Sequence, residues 1–218
     1  MVIAIDGPAG SGKSTVAREV AKRLKCLYID TGAMYRALTL AAINSGLDFK
    51  NEESLVQLAK NTDIELKESS GSLKVFLDGQ DVSKKIRSMS VTTKVKFPAA
   101  LKGVRENMVR LQRKLGRSPR GAVLEGRDIG TVVFPRTENK FYLEASLDTR
   151  VTRRFAEMKG KGFFISREEV KSDVLARDKA DMTRVIAPLM KAKDALEIDT
   201  TDMTVEEVVR HILKAVNK

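Results

Sequence analysis

Apolar positions along the chain change period several times, and each change marks an element. Val2 to Ile5 form an apolar run of strand length, residues 7–14 carry no apolar repeat, and Val16, Val20 and Leu24 then recur four apart on one helical face. That order predicts strand, loop and helix. Cys26 to Ile29 reads as a second buried strand, followed by a helix with Leu38, Ala41 and Ala42 inside, which Asn44-Ser45-Gly46 stops. A short helix over residues 51–60 is expected to turn Leu55 and Leu58 inward.

The texture then changes. Ile64-Glu65-Leu66-Lys67 alternates, Ser69-Ser70-Gly71-Ser72 turns, and Leu73 to Leu77 runs on to Asp78-Gly79, which is a hairpin signature. It interrupts a strand–helix alternation, so residues 62–90 are expected to form a small antiparallel insertion of the kind that closes over a substrate. From Ala99 to Leu115, Leu101, Val104, Met108, Leu111 and Leu115 mark one face of a helix. Arg105 borders that face, and the pattern tilts toward its snorkelling outward rather than finding an anionic or carbonyl partner.

Ala122-Val123-Leu124, Phe141-Tyr142-Leu143 and Leu196–Asp199 read as three further strands. A helix from Leu147 has Phe155 and Met158 on its apolar side and ends at Lys159-Gly160-Lys161-Gly162. Ser166-Arg167-Glu168-Glu169 has capping-box form and opens another helix that stops before Pro188. Thr204-Val205-Glu206-Glu207 caps the last helix, with Val205, Val208, Val209, Ile212 and Val216 expected inward. Five strands alternating with helices predict an α/β fold: one domain over residues 1–218 with an open five-stranded parallel sheet.

Composition narrows the class. At 218 residues, 42% hydrophobic and 32% charged, the chain suits one globular domain, and no run approaches the roughly 18 apolar residues of a membrane span. With an apolar strand and the phosphate loop at the start, no targeting leader is expected. The single cysteine, Cys26, excludes an internal disulfide, fits a reducing cytosol and is expected buried; the lone His211 is expected to face solvent. The formal charge is +11. Its cations are read as dispersed among acidic neighbours, and aromatics are only 5% of residues, so the surplus is read mainly as attraction for phosphate, with nucleic-acid binding as the alternative.

Residues 7–14, Gly-Pro-Ala-Gly-Ser-Gly-Lys-Ser, match G-x-x-x-x-G-K-[ST], the phosphate loop whose backbone N–H groups cradle phosphates while Lys and Ser reach phosphate oxygens and Mg²⁺. A strand before and a helix after it aim the positive helix end at an anion. Asp30-Thr31-Gly32-Ala33-Met34-Tyr35-Arg36 follows the second strand, and Glu125-Gly126-Arg127-Asp128-Ile129-Gly130-Thr131 the third, both at the carboxyl edge where such sheets bind ligands. Arg36 by itself is evenly balanced between a site residue and a solvated one. Arg150, Arg153, Arg154, Arg177 and Arg184 flank a glycine-punctuated joint, as a lid closing on phosphate would require, though about half suit solvated helix faces equally well.

No Asn-Lys-x-Asp or Asp-x-x-Gly segment occurs, and the strand at 122–124 ends in Glu125 rather than an Asp, which sets aside a GTPase switch and a motor ATPase. Two anionic substrates face to face, as in a small-molecule kinase, fit better. No Cys/His set has metal-site spacing, so Mg²⁺ brought by ATP is the only metal expected.

These two strand-end motifs, together with Arg177-Asp178-x-x-Asp181-x-x-Arg184-x-x-Ala187-Pro188-Leu189, resemble the bacterial cytidylate kinases of the nucleoside monophosphate kinase family over essentially the whole length. The resemblance implies a kinase moving the γ-phosphoryl group of ATP to CMP and dCMP. It implies that Gly7, Pro8, Ala9, Gly10, Ser11, Gly12, Lys13, Ser14 and Thr15 hold ATP, with Ser14 on Mg²⁺. Arg36 and Arg127 would hold the CMP phosphate beside Asp30 and Thr31; Arg105 and Asp128 the cytosine; Asp181 the ribose; Arg184 the sugar or base. Lys13, Arg127, Arg150, Arg154 and Arg177 would act on the transferring phosphoryl group. It also implies a monophosphate-binding region over 31–100, with the insertion at 62–90, a lid over 150–184, and a cytosolic monomer with no membrane or nucleic-acid partner. Two departures stand out: Glu125 lies where Asp is common, and the segment before Arg105 lacks the serine expected near cytosine, leaving Thr92, Thr93 or a lysine as replacements. A kinase of the same fold acting on UMP, or an RNA-associated P-loop protein, are the rival readings.

Overall fold

A computed structural model describes residues 1–69 and 72–216. The centre of the expected hairpin turn, Ser70-Gly71, lies outside the described residues. In chain order the elements are β1 (Val2–Asp6), α1 (Lys13–Leu24), β2 (Leu27–Asp30), α2 (Thr31–Asn44), α3 (Glu52–Asn61), β3 (Ile64–Ser69), β4 (Ser72–Leu77) and β5 (Gln80–Asp81). A 3₁₀ turn at Lys85–Arg87 leads to α4 (Met89–Lys94), α5 (Lys96–Ala100) and α6 (Lys102–Gly116). Then come β6 (Ala122–Gly126), a π-helical turn at Ile129–Val133, β7 (Asn139–Glu144), α7 (Leu147–Gly160), α8 (Arg167–Thr183), β8 (Leu196–Asp199) and α9 (Val205–Val216).

Five parallel strands run in the order β2-β6-β1-β7-β8, as the alternating pattern predicts. The chain divides into two compact units, residues 1–26 with 123–218, and residues 27–122.

In the first unit β1 lies between β6 and β7, strands more than a hundred residues away in sequence: Ile3 lies opposite Asn139, and Asp6 opposite Tyr142. Ile3, Ala4 and Ile5 are all fully buried, which is why β1 reads as an unbroken apolar run instead of alternating. Helix α9 lays Val208, Val209 and Ile212 inward, and Arg23 of α1 grips both carboxylate oxygens of Glu206. Val205, expected inward, is 44% exposed: it is the first residue of α9, a turn before the buried stripe begins. Val151 of α7 packs against Val170 and Val174 of α8, with Leu147, Phe155 and Ile165 around them. The capping box forms as expected, Glu169 N–H donating to Ser166 Oγ and Ser166 N–H to Glu169 Oε2. Cys26 is buried and His211 exposed.

The second unit holds the expected hairpin, extended to a three-stranded antiparallel sheet, β3-β4-β5. Ile64 faces Leu77 and Leu66 faces Val75, all four buried. The sheet ends at Asp81, and residues from Lys85 onward coil into the 3₁₀ turn and α4, so the antiparallel part is shorter than expected. Helices α4 and α5 escape the periodicity because neither is longer than six residues. Helix α6 packs on α3 so closely at Gly103 that a Cβ there would stand 2.8 Å from Val56 Cγ1. Contrary to the expectation of snorkelling, Arg105 is only 3% exposed: its Nη1 donates to Ala99 O at 3.0 Å and its guanidinium lies 5.5 Å from the Tyr35 ring centre. A carbonyl and an aromatic face meet the cation where a sequence pattern shows only a helix flank.

Candidate active site

In the first unit the loop between β1 and α1 is held open by glycine. Gly12 caps α1 at φ 89°, and at Gly10, φ 78°, a Cβ would come within 2.7 Å of Arg150 O. Lys13 is 5% exposed and folds over the loop, its Nζ donating to Pro8 O at 2.5 Å and Ser11 Oγ at 3.3 Å. Burial, and next the positive charge of Arg127, lower its pKa to about 7; Glu125, Asp181 and Asp6 oppose them. Ser14 and Thr15 lie exposed on the first turn of α1.

Two carboxylates absent from the expected set hold this region, Asp178 on the loop and Asp6 on the turn after β6. Asp6 accepts from Ile129 N–H at 2.9 Å and Gly130 N–H at 2.7 Å, fixing the turn that follows Asp128. Burial pushes its carboxyl up to about 6 against those two donors. Asp178 of α8 accepts from Ala9 N–H at 3.0 Å and from Arg150 Nη1. Arg150 also donates to Ala9 O and Ala145 O, each at 3.1 Å, so it is anchored on the loop itself. Thr200, 2% exposed, accepts from Arg153 Nη1 at 2.9 Å, and its hydroxyl lies 2.9 Å from Glu144 O and 3.3 Å from Ser11 O. The rule that selected Asp30 and Asp128, an acid at a strand's carboxyl end, also selects Asp6; Asp178 sits inside a quoted motif; nothing local marks Thr200.

A second cluster follows β6. Glu125 and Asp128 are buried, and Arg127 Nε donates to Asp181 Oδ2 at 2.7 Å. Arg184 reaches Asp128 Oδ1 and Asp181 Oδ1, each at 3.6 Å, while its Nε donates to Ala187 O at 2.6 Å. Burial by itself would raise the Asp181 carboxyl, but Arg127, Arg184 and Arg177 overcome it and hold the group below the ordinary carboxylate range. Arg127, Asp128, Asp181 and Arg184 are thus brought together. Arg154 and Arg177 are instead paired along their own helices, Arg154 with Glu157 at 2.8 Å and Arg177 with Asp173 at 3.8 Å.

In the second unit Asp30 caps α2, accepting from Ala33 N–H at 2.8 Å, and its other oxygen accepts from Arg36 Nη2 at 2.9 Å. Arg36 is therefore tethered rather than solvated, its side chain 19% exposed, with Nε buried and lacking a hydrogen-bond partner. Thr31 is buried beside it in sequence. Arg105 donates to Ala99 O, while Thr93 is exposed and its hydroxyl donates to Met89 O.

Among the described residues no group of three or more His, Cys, Asp or Glu is arranged to hold a metal ion. The oxygen donors near the loop, the exposed Ser14 hydroxyl and the Glu125 carboxylate, suit a hard cation carried in by phosphates.

The family model described as cytidylate kinase matches residues 3–218. A cytidylate kinase of Clostridioides difficile is 46% identical over 217 residues, covering 100% of this chain and 98% of that one. One from Geobacillus is 50% identical over 216 residues, covering 99% and 96%. The crystal structure of a gluconokinase from Sinorhizobium meliloti, 13% identical, superposes with a TM-score of 0.50 over 99% of this chain and 91% of its own, a likeness of fold.

Proposed function

The chain belongs to the cytidylate kinase family, and from that premise we propose that it transfers the γ-phosphoryl group of ATP to CMP or dCMP, releasing ADP and CDP or dCDP. The observation that carries the proposal is geometric: a braced phosphate loop with Lys13 folded over it shares a unit with the Arg127–Asp181 and Arg184–Asp128 pairs. One group of donors suits a polyphosphate, and the other offers cations and carboxylates for a second, smaller nucleotide.

Lys13 and the loop N–H groups are assigned to the ATP phosphates, whose negative charge would favour the protonated lysine. Mg²⁺ carried by ATP would add the Ser14 hydroxyl to its oxygen ligands and supply charge neutralisation as the phosphoryl group moves. Arg127 is assigned to the CMP phosphate, which a guanidinium grips with two parallel bonds. Asp128 accepts from the exocyclic amine of cytosine, whereas uracil offers a carbonyl there that an ionised Asp repels. Asp181 serves the ribose hydroxyls and Arg184 the sugar or base. On the same reading, Arg36 and Thr31 of the second unit serve the acceptor phosphate and Arg105 the base.

The attacking phosphate oxygen needs no general base, since the second pKa of a phosphate monoester is about 6. In-line positioning and charge stabilisation therefore do the catalysis. Arg150 acts on the phosphoryl group through the loop it anchors, and Arg154 and Arg177 reach it once substrates compete for their present partners. No helix among the described residues is long and apolar enough to cross a membrane, and the enzyme is read as a monomer of the cytosol.

A coupled assay with CMP, dCMP, UMP and AMP tests the reading. CMP and dCMP should lead; a preference for UMP or AMP overturns it. Asp128→Asn should cut kcat/KM for CMP by about 1–3 kcal/mol and narrow the margin over UMP; unchanged selectivity would remove Asp128 from the base pocket.

A further inference from the structure

The charge of this chain is concentrated in one place. Residues 84–120 hold twelve Lys and Arg against a single acid, Glu106, a surplus of eleven that equals that of the whole chain; the remaining residues hold 28 of each sign. Of those twelve cations Arg105 is buried and the other eleven are exposed. All lie in the second unit, on the 3₁₀ turn and helices α4 to α6 and the turns beside them.

On α6 the exposed cations follow the helix period. Arg110, Arg113, Lys114 and Arg117, with Glu106 and Val109, line an open groove of about 470 Å³ on a face away from the buried Val104, Met108 and Gln112. Glu106 is offset by Lys102 at 3.9 Å. At a rise of 1.5 Å per residue the four cations, with Arg113 and Lys114 adjacent, span about 10 Å along the helix axis. Earlier in the same segment, Phe97 is 42% exposed with its ring centre 5.8 Å from that of Phe49, and Lys94 and Lys96 stand 5.0 and 5.3 Å over these two rings. Cations beside an open aromatic ring are what a flexible polyanion with stackable bases requires. An anionic bilayer would instead call for a broad apolar face beneath the charge, and the α6 stripe offers only Val109.

We propose that residues 84–120 bind single-stranded RNA, the α6 stripe neutralising backbone phosphates and Phe97 stacking a base. Arg110, Arg113, Lys114, Arg117 and Phe97 lie outside the proposed catalytic set, whereas Arg105, with Thr92, Thr93 or a lysine before it in the same segment, is expected at the cytosine, which is why the test below keeps the kinase site occupied. Four neutralised phosphates give a log–log salt slope of about −2.8, so affinity falls about 50-fold from 50 to 200 mM salt.

The test is fluorescence anisotropy of a labelled oligouridylate of about twenty nucleotides with the full chain, CMP and ADP being present in excess to occupy the kinase site. Wild type should bind saturably with that slope. The triple variant Arg110→Gln, Arg113→Gln, Arg117→Gln should lose more than tenfold in affinity and about two units of slope, with kinase activity and melting temperature retained as proof of folding. The matching triple change to Lys should restore binding, and Phe97→Ser should weaken it about tenfold. Absence of saturable RNA binding at low salt overturns the proposal, as does equal binding by the Gln variant. Tighter binding of an oligodeoxythymidylate, or capture by phosphatidylserine vesicles without RNA binding, overturns the assignment of RNA as the partner.

Discussion

Cations around the phosphate loop and cations along α6 are the same residue types put to opposite use. At the loop, Arg150 and Arg153 are each held by acceptors from distant parts of the chain, Asp178 and Ala9 for one, Thr200 for the other. Along α6 and its C-terminal turn, Lys114 and Arg117 face solvent on one open groove. A held cation has lost its conformational freedom during folding and meets a ligand atom at a fixed point. A solvated one keeps its freedom and suits a partner whose charges have no fixed arrangement. Burial and bonding, more than charge count, separate a positioning site from an attracting surface.

Four perturbations test that contrast, taken in order of expected effect. Lys13→Met should lower kcat about 10³-fold without lowering the melting temperature; a loss below tenfold would place Lys13 outside the phosphate site. Asp178→Ala strips a buried ion pair of one partner, so urea titration should show about 3 kcal/mol less stability; Asp178→Leu combined with Arg150→Met should recover part of that. If the double variant is no better than the single, the pair is not the brace described above. Next comes the pH profile of kcat/KM for ATP. Burial, then Arg127, lower the Lys13 pKa to about 7, so the free enzyme loses this proton above that pH and kcat/KM should fall about tenfold per pH unit. kcat, read with the triphosphate bound, should hold, and Lys13→Arg should abolish the limb; a limb unchanged in Lys13→Arg belongs to another group. Smallest is the Arg110→Gln, Arg113→Gln, Arg117→Gln variant, whose stability should move by less than about 0.5 kcal/mol. A larger loss would show that the α6 cations are structural after all.

What the sequence reveals of this molecule is what local pattern encodes. The phosphate loop and the capping box at Ser166 depend on neighbours a few residues away, and β1 announces its burial by its own unbroken apolar run, so each is legible. Arg105 is not, because its carbonyl and aromatic partners come from the α5 segment and α2. Asp178 and Thr200 act on loop residues 169 and 189 positions distant, beyond any periodicity. The charge block of residues 84–120 is a different case. It is visible in a count of the chain, yet it acquires meaning only once the helix period turns four of its members onto one groove.

The discontinuity of the first unit also orders events at the ribosome. Residues 27–122 are contiguous and have every contact of their own unit available as soon as they emerge. The phosphate loop is made first, but β1 has no β7 to pair with until residue 139 and beyond, and Ala9 has no Asp178 to bond until 169 residues later. At 5–20 residues per second that is a wait on the order of ten seconds. The inserted unit can be native while β1 has only β6 beside it and the phosphate loop still lacks its Asp178 partner, so the segment that carries the chemistry is left incomplete the longest.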